Sequence, residues 1–374
     1  MIEGYAAFRM GDPAEAERRY RAVLARHPDH AEAWLLLSEL LFHYNPYAGR
    51  PTAEALDPIT RALSYAPGDH ELLVHLMDLA LQRRDGAAFD SLAARYFQAG
   101  DVEPELVLPY STARARVLGD AAEYEAALAR LFAAGPGATR QTLERAAAML
   151  GDRSFARTLA QALAAADDEA RIWGSLHLAL FDVADGQRAA ADAHFDRAAE
   201  GAPGWALIHR VLAAAAPGQA VADERLRALR ADVEAWGPPD SLFDGQHAGE
   251  LDAVRHYLGG LLDLRLGRVE AALAEADALE AEGDVFSASL AATLRAYADL
   301  EAGRPEVALE RLHAATLALP FPVRRTSPLY GQHLGRLLRA YALRELGRTE
   351  EAEQWAASLH DGYFWWGVPY RIAW

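Results

Sequence analysis

Stretches with apolar residues at helical spacing alternate with short turns along most of the chain, and the turns carry a recurring marker. A Gly followed five residues later by Ala appears as Gly11/Ala16, Gly151/Ala156, Gly186/Ala191, Gly267/Ala272, Gly303/Ala308 and Gly347/Ala352. Each pair sits between two segments whose apolar residues share one helical face, as expected for antiparallel helix pairs. β-Branched alternation extends over five positions nowhere, so strands are not expected. The pattern predicts an all-α chain of about nine or ten helical hairpins, each contacting mainly its neighbours.

One unit is especially regular: Gly4, Gly11, Ala16, Tyr20, Val23 and Pro28, after which Trp34 and Leu37 open the next. Ala at the second helix lets two helix axes approach, the aromatic fills the adjoining groove, and Pro stops the helix. This order resembles the tetratricopeptide repeat family. The resemblance implies a right-handed superhelical solenoid of antiparallel hairpins that binds protein or peptide partners and has no catalytic role. Gly186, Ala191, Phe195, Ala198 and Pro203 keep the same spacing, as do Gly303, Ala308, Leu312, Ala315 and Pro320. From about Leu72 to Leu163 the register is degenerate, although Gly119, Tyr124, Leu128 and Leu131 still read as a turn and second helix.

Two interruptions divide this pattern. His43 to Pro51 is a Pro- and Gly-rich excursion inside the second hairpin, and Trp236-Gly237-Pro238-Pro239-Asp240 forbids helix continuation. The second break predicts an N-terminal helical lobe over 1–236 and a C-terminal lobe over 240–374 with an aromatic cap. A narrower resemblance joins Trp34 to Pro46, with Gly49-Arg50 after it, to the repeat-containing tails of bacterial signalling proteins, including serine/threonine kinases of the eukaryotic type. It implies a bacterial signalling or regulatory setting. The Gly-rich loop, Lys and His-Arg-Asp motif of a kinase are all missing.

Composition narrows the chemistry. The 374 residues include no Cys and, every non-histidine cation being Arg, no Lys. Disulfides, thiolate metal sites, P-loop lysines and Schiff-base lysines are thereby excluded. A formal net charge of −17 repels phosphate backbones, and the basic runs Arg225 to Arg230 and Arg324-Arg325 are short, so nucleic acid is not an expected partner. Met1 to Tyr5 lacks the basic-then-apolar start of an export signal, and no later stretch has the roughly 20 apolar residues that cross a bilayer. Membranes are not expected partners, and a cytoplasmic location is the expectation.

The family's helix register places Tyr5, Phe8, Arg9, Glu39, His43, Tyr257, Leu261, Arg265, Tyr297, Leu337, Tyr341 and Arg344 on the inner face as a partner-binding groove. Aromatic rings supply contact area at little entropic cost, and guanidinium groups grip carboxylates in a bidentate fashion. The tail supplies a second candidate surface through Tyr363, Phe364, Trp365, Trp366 and Trp374. It would cap the last hairpin, fold into the groove or join a second copy as a homodimer.

No metal site, cofactor or catalytic residue is expected. His27 and His30 share one turn with only Asp29 beside them, and His75, His177 and His209 lie in helical stretches as core or groove residues. No Gly-x-Ser-x-Gly or Gly-x-Gly-x-x-Gly occurs. Three readings compete: a groove-binding scaffold or adaptor, an assembly subunit acting through its aromatic C-terminal surface, and an enzyme on a helical-repeat fold. The first is favoured, since no pocket of convergent titratable groups can be assembled from the sequence.

Overall fold

The computed structural model describes residues 1–98, 104–166, 168–237, 247, 249–315, 317–360 and 365–370. Its elements run α1 (Ile2–Arg9), α2 (Pro13–Leu24), α3 (Ala31–Tyr44), α4 (Leu56–Tyr65), α5 (His70–Gln82), α6 (Gly86–Gln98), α7 (Pro104–Leu118), α8 (Ala121–Ala133), α9 (Pro136–Gln141), a π-helical turn (Thr142–Ala147), α10 (Ala148–Leu150) and α11 (Arg153–Ala164). There follow α12 (Asp168–Ala184), α13 (Arg188–Ala199), α14 (Pro203–Ala215), α15 (Asp223–Ala235), α16 (Leu251–Arg265), α17 (Val269–Ala281), α18 (Val285–Glu301), α19 (Pro305–Ala314), α20 (Phe321–Arg324), α21 (His333–Glu345) and α22 (Thr349–Ser358). Among the described residues there is no strand, and no helix is long and apolar enough to cross a membrane. The fold is the all-α stack of hairpins that the sequence pattern predicts.

The recurring Gly/Ala pairs explain how the hairpins close. All six turn glycines adopt positive φ, between 61° and 77°, a region that L side chains enter only at a cost. The six alanines that follow are buried at 3% exposure or less, and each lets its helix settle onto the preceding one. Gly4 serves the same close packing, since a Cβ there would lie 2.9 Å from the Tyr20 ring. Helix starts are fixed locally: Asp12, Asp69, Asp120 and Asp284 each accept a backbone N–H from three residues on. Pro13, Pro136, Pro203 and Pro305 occupy the first helical turns, where their missing donor costs nothing.

The chain forms two compact units. The first comprises Met1–Leu163 with Ala318–Thr326 and His360–Trp365; the second comprises Ala164–Leu317, Ser327–Leu359 and Trp366–Trp374. In the first, α1 pairs with α2, α3 with α4, α5 with α6 and α7 with α8, and α2 and α4 pack on the next hairpins. Its core holds Leu37, Leu40, Leu41, Leu72, Leu73 and Met77, each contributing about 1.5–3 kcal/mol on full burial. The Pro- and Gly-rich excursion between α3 and α4 forms two short 3₁₀ turns, Asn45–Ala48 and Thr52–Ala55. In the second unit, α12 pairs with α13, α16 with α17, α18 with α19 and α21 with α22. The break expected at Trp236 to Asp240 continues from Pro238 into residues outside the described ones.

Candidate functional site

The first unit carries an open cavity of about 400 Å³. Helix α3 supplies Glu39 and His43 to its lining, α5 supplies Glu71 and Val74 with His75, and the π-helical turn supplies Glu144 and Arg145. The i, i+4 spacing puts Glu39 and His43 one above the other on one helical face, and α5 packs its own histidine against them. A π turn widens the backbone by one residue and re-aims the side chains it carries, and such turns recur at functional sites. Gln141 and Arg145 thereby line one cavity together, with Arg140 donating to Glu144 at 2.7 Å from outside it.

At the cavity floor one carboxylate serves two imidazoles. His75 Nε2 lies 3.0 Å from Glu39 Oε1, and His43 Nε2 lies 3.4 Å from Glu39 Oε2. Burial pushes the Glu39 carboxyl up, but the hydrogen bonds from His43 and His75 outweigh it and hold the group well below the usual carboxylate range. Burial favours the neutral form of His43, assisted by the charge of His75 and Arg145 and opposed by Glu39. The consistent state is an ionised Glu39 beside a neutral His43. Ring stacking fixes both imidazoles: His75 lies on Phe42 with centroids 3.9 Å apart, and His43 lies on Phe321 at 4.2 Å.

Deeper in the unit, Tyr110 donates to Asp78 at 2.7 Å, and burial raises the Asp78 carboxyl from its ordinary value. Arg145 sits over the Tyr110 ring at 5.9 Å, and its charge opposes that rise. The cavity thus combines fixed aromatic surface with both signs of charge.

A segment of the chain itself forms one wall. Residues 318–326 lie in the first unit, where Phe321 and Pro322 line the cavity. The Phe321 N–H donates to Tyr44 Oη at 2.7 Å, and the buried Arg324 guanidinium rests over the Tyr44 and Tyr47 rings at 5.7 and 5.0 Å. Gly11 makes room for this segment: a Cβ there would meet the Leu319 backbone at 2.4 Å.

The residues that the family register selects are dispersed. Glu39 and His43 reach the cavity. Phe8 packs edge-on against Tyr44 at 5.7 Å, while Tyr5 and Arg9 are exposed. In the second unit, Tyr297 is buried and donates to Ala215 O at 2.9 Å. Arg265 donates to the carbonyls of Ala216 and Gln219, and Tyr341 lies 3.5 Å from Pro217 O with Arg344 over its ring. Arg265, Tyr297 and Tyr341 therefore hold the chain's own turn at 215–219. Tyr257 is buried at 2% exposure and Leu261 and Leu337 are fully covered.

Trp365 is buried in the first unit, where its Nε1–H donates to Leu143 O at 3.0 Å. Trp366 is buried in the second, ringed by Trp173, His177, Trp205 and His209 at centroid distances of 4.7–5.9 Å. Tyr363, Phe364 and Trp374 lie outside the described residues.

Glu144, Arg145 and Phe321 join the cavity without having been expected there. Glu144 and Arg145 fall in the register-degenerate stretch, and Phe321 is brought in by a pairing across 277 residues. His75 carried a signal, a lone imidazole within an apolar helical run, but nothing local ties it to Glu39.

Comparisons with known proteins agree with the repeat pattern at the start of the chain. Residues 3–70 match the family described as tetratricopeptide repeat. A solved structure described as the P58(IPK) TPR domain aligns with 12% identity over 93% of this chain and 98% of that chain, with a TM-score of 0.24. No curated protein matches the chain in sequence.

Proposed function

We propose that the chain is a non-catalytic scaffold or adaptor that takes a segment of a protein partner into the cavity of its first unit. The tetratricopeptide match over 3–70 supports a protein-binding role, because repeats of this family commonly serve protein interaction. The observation that carries the choice of site is that the cavity is already lined by a piece of chain. Residues 318–326, Ala-Leu-Pro-Phe-Pro-Val-Arg-Arg-Thr, present an aromatic ring between two prolines and two guanidinium groups to fixed surfaces of the unit. A partner segment of the same chemistry, extended, Pro-flanked, aromatic and basic, would find a ring to stack on in His43 and carboxylates in Glu71 and Glu144. Proline lowers the ordering cost of such a segment. The resemblance of Trp34 to Pro46 to repeat tails of bacterial signalling proteins suggests that the partner belongs to a regulatory assembly.

A fluorescent peptide of residues 318–326 titrated into the full chain tests this reading. The chain's own segment competes, so Phe321→Ala should raise peptide affinity above wild type. A charge reversal at Glu144 in that background should lower it again. Absence of binding to the Phe321→Ala chain at peptide concentrations up to about 1 mM, near −4 kcal/mol, would refute the site.

A further inference from the structure

We propose that Glu39, His43 and His75 form a binding site for a divalent cation of the zinc class, with the fourth coordination position open to the cavity. Each of the three side chains offers one ligand atom, and these atoms all lie within 4.8 Å of one another. Tetrahedral zinc with bonds near 2.0 Å separates its ligand atoms by roughly 3.3 Å, and the two imidazoles approach the Glu39 carboxylate at that scale, His75 Nε2 at 3.0 Å from Oε1 and His43 Nε2 at 3.4 Å from Oε2.

The ligand set is specific as well as close. Two imidazoles and one carboxylate form the donor set that zinc takes at sites with three protein ligands and an open position. Both rings present Nε2 to the same carboxylate, so the three donor groups converge on one point. Glu39 and His43 occupy i and i+4 of α3, the spacing that puts two ligands on one face of a helix, and His75 comes from the neighbouring α5. Stacking on Phe42 and Phe321 holds the rings in place without restricting Nε2. Three carboxylates, Glu39, Glu71 and Glu144, line the cavity against the two guanidinium groups of Arg145 and Arg325, so the wall does not exclude a cation. The open side would be completed by water or by an oxygen of whatever enters the cavity.

The test uses the full chain, stripped with a chelator and titrated with Zn²⁺ by calorimetry and with Co²⁺ by visible absorption, without any peptide. One ion per chain and the d–d bands of low-symmetry four-coordinate Co²⁺ are expected. His75→Gln keeps a donor for Glu39 but is a poor zinc ligand, and it should weaken binding more than about tenfold, as should Glu39→Gln. A His27→Ala variant, which removes an exposed imidazole of the α2–α3 turn and leaves His30 to cap α3, should bind as wild type does. Unaltered affinity in His75→Gln, or loss of binding in the turn variant, would overturn the assignment. Should a cavity variant fail to fold, X-ray absorption of zinc-loaded wild type decides: two imidazoles and a carboxylate support the site, and an oxygen-only shell refutes it. Repeating the peptide titration in chelator keeps the metal and the partner separable.

Discussion

Phe321 stacks on His43 with ring centroids 4.2 Å apart, while its backbone N–H donates to the hydroxyl of Tyr44, the next residue of α3. Two consecutive residues of one helix thus hold both the ring and the backbone of a segment far away in sequence. That segment occupies the surface that the proposed partner segment would take.

Tyr44→Phe should leave the Phe321 N–H without its acceptor at little change in packing. The loss is about 1 kcal/mol locally, and native-state hydrogen exchange should show the Phe321 amide exchanging several-fold faster while amides at the core of α5 are unaltered. Equal exchange in variant and wild type would mean the bond contributes nothing.

Gly11 and Gly151 separate two costs that usually come together. Both have positive φ, 77° and 61°, so Ala at either should lose about 1 kcal/mol to backbone strain. Only at Gly11 would the new methyl overlap a backbone, that of Leu319, whereas nothing lies within 4 Å at Gly151. Gly11→Ala should therefore lower the thermal midpoint of the first unit by more than Gly151→Ala, and limited proteolysis should cleave within 318–326 in the Gly11 variant alone.

The second unit should lose stability in acid through His209. Burial lowers its pKa from 6.5 to about 3, with help from the nearby His177 and His247. The unfolded chain takes up a proton below pH 6.5 that the folded chain refuses until about pH 3, so stability falls as pH drops through that window. The slope approaches about 1.4 kcal/mol per pH unit for one such group. Urea denaturation followed by tryptophan fluorescence should show this fall, and His209→Leu should flatten it between pH 6 and 4. A slope unchanged by that substitution would assign the effect elsewhere.

Trp366 packs among Trp173, His177, Trp205 and His209, and its truncation to Ala should cost about 3–5 kcal/mol as a large buried ring is replaced by a void. Calorimetry should register the loss. A cost under about 1 kcal/mol would show that the 365–370 segment detaches without consequence.

The hairpin fold was legible because its rule is local: each turn Gly and its Ala lie five residues apart, and both the left-handed backbone and the buried methyl follow from that spacing. The cavity was half legible for the same reason. Glu39 and His43 share one helix, so register alone places them together. Glu144 and Arg145 escaped because the π turn breaks the 3.6-residue periodicity on which register depends. Phe321 escaped because only tertiary folding brings it to Tyr44. Tyr297, Arg265 and Tyr341 illustrate the converse: register identifies a helix face, but whether a turn such as 215–219 packs on that face is decided by chain far from the helix.

Differential hydrogen exchange of the Phe321→Ala chain with and without the 318–326 peptide tests the central idea most directly. Slowed exchange is expected in α3, α5 and the π-helical turn, with amides around 215–219 unchanged. Protection confined to the 215–219 region, or no protection anywhere at peptide saturation, would contradict it.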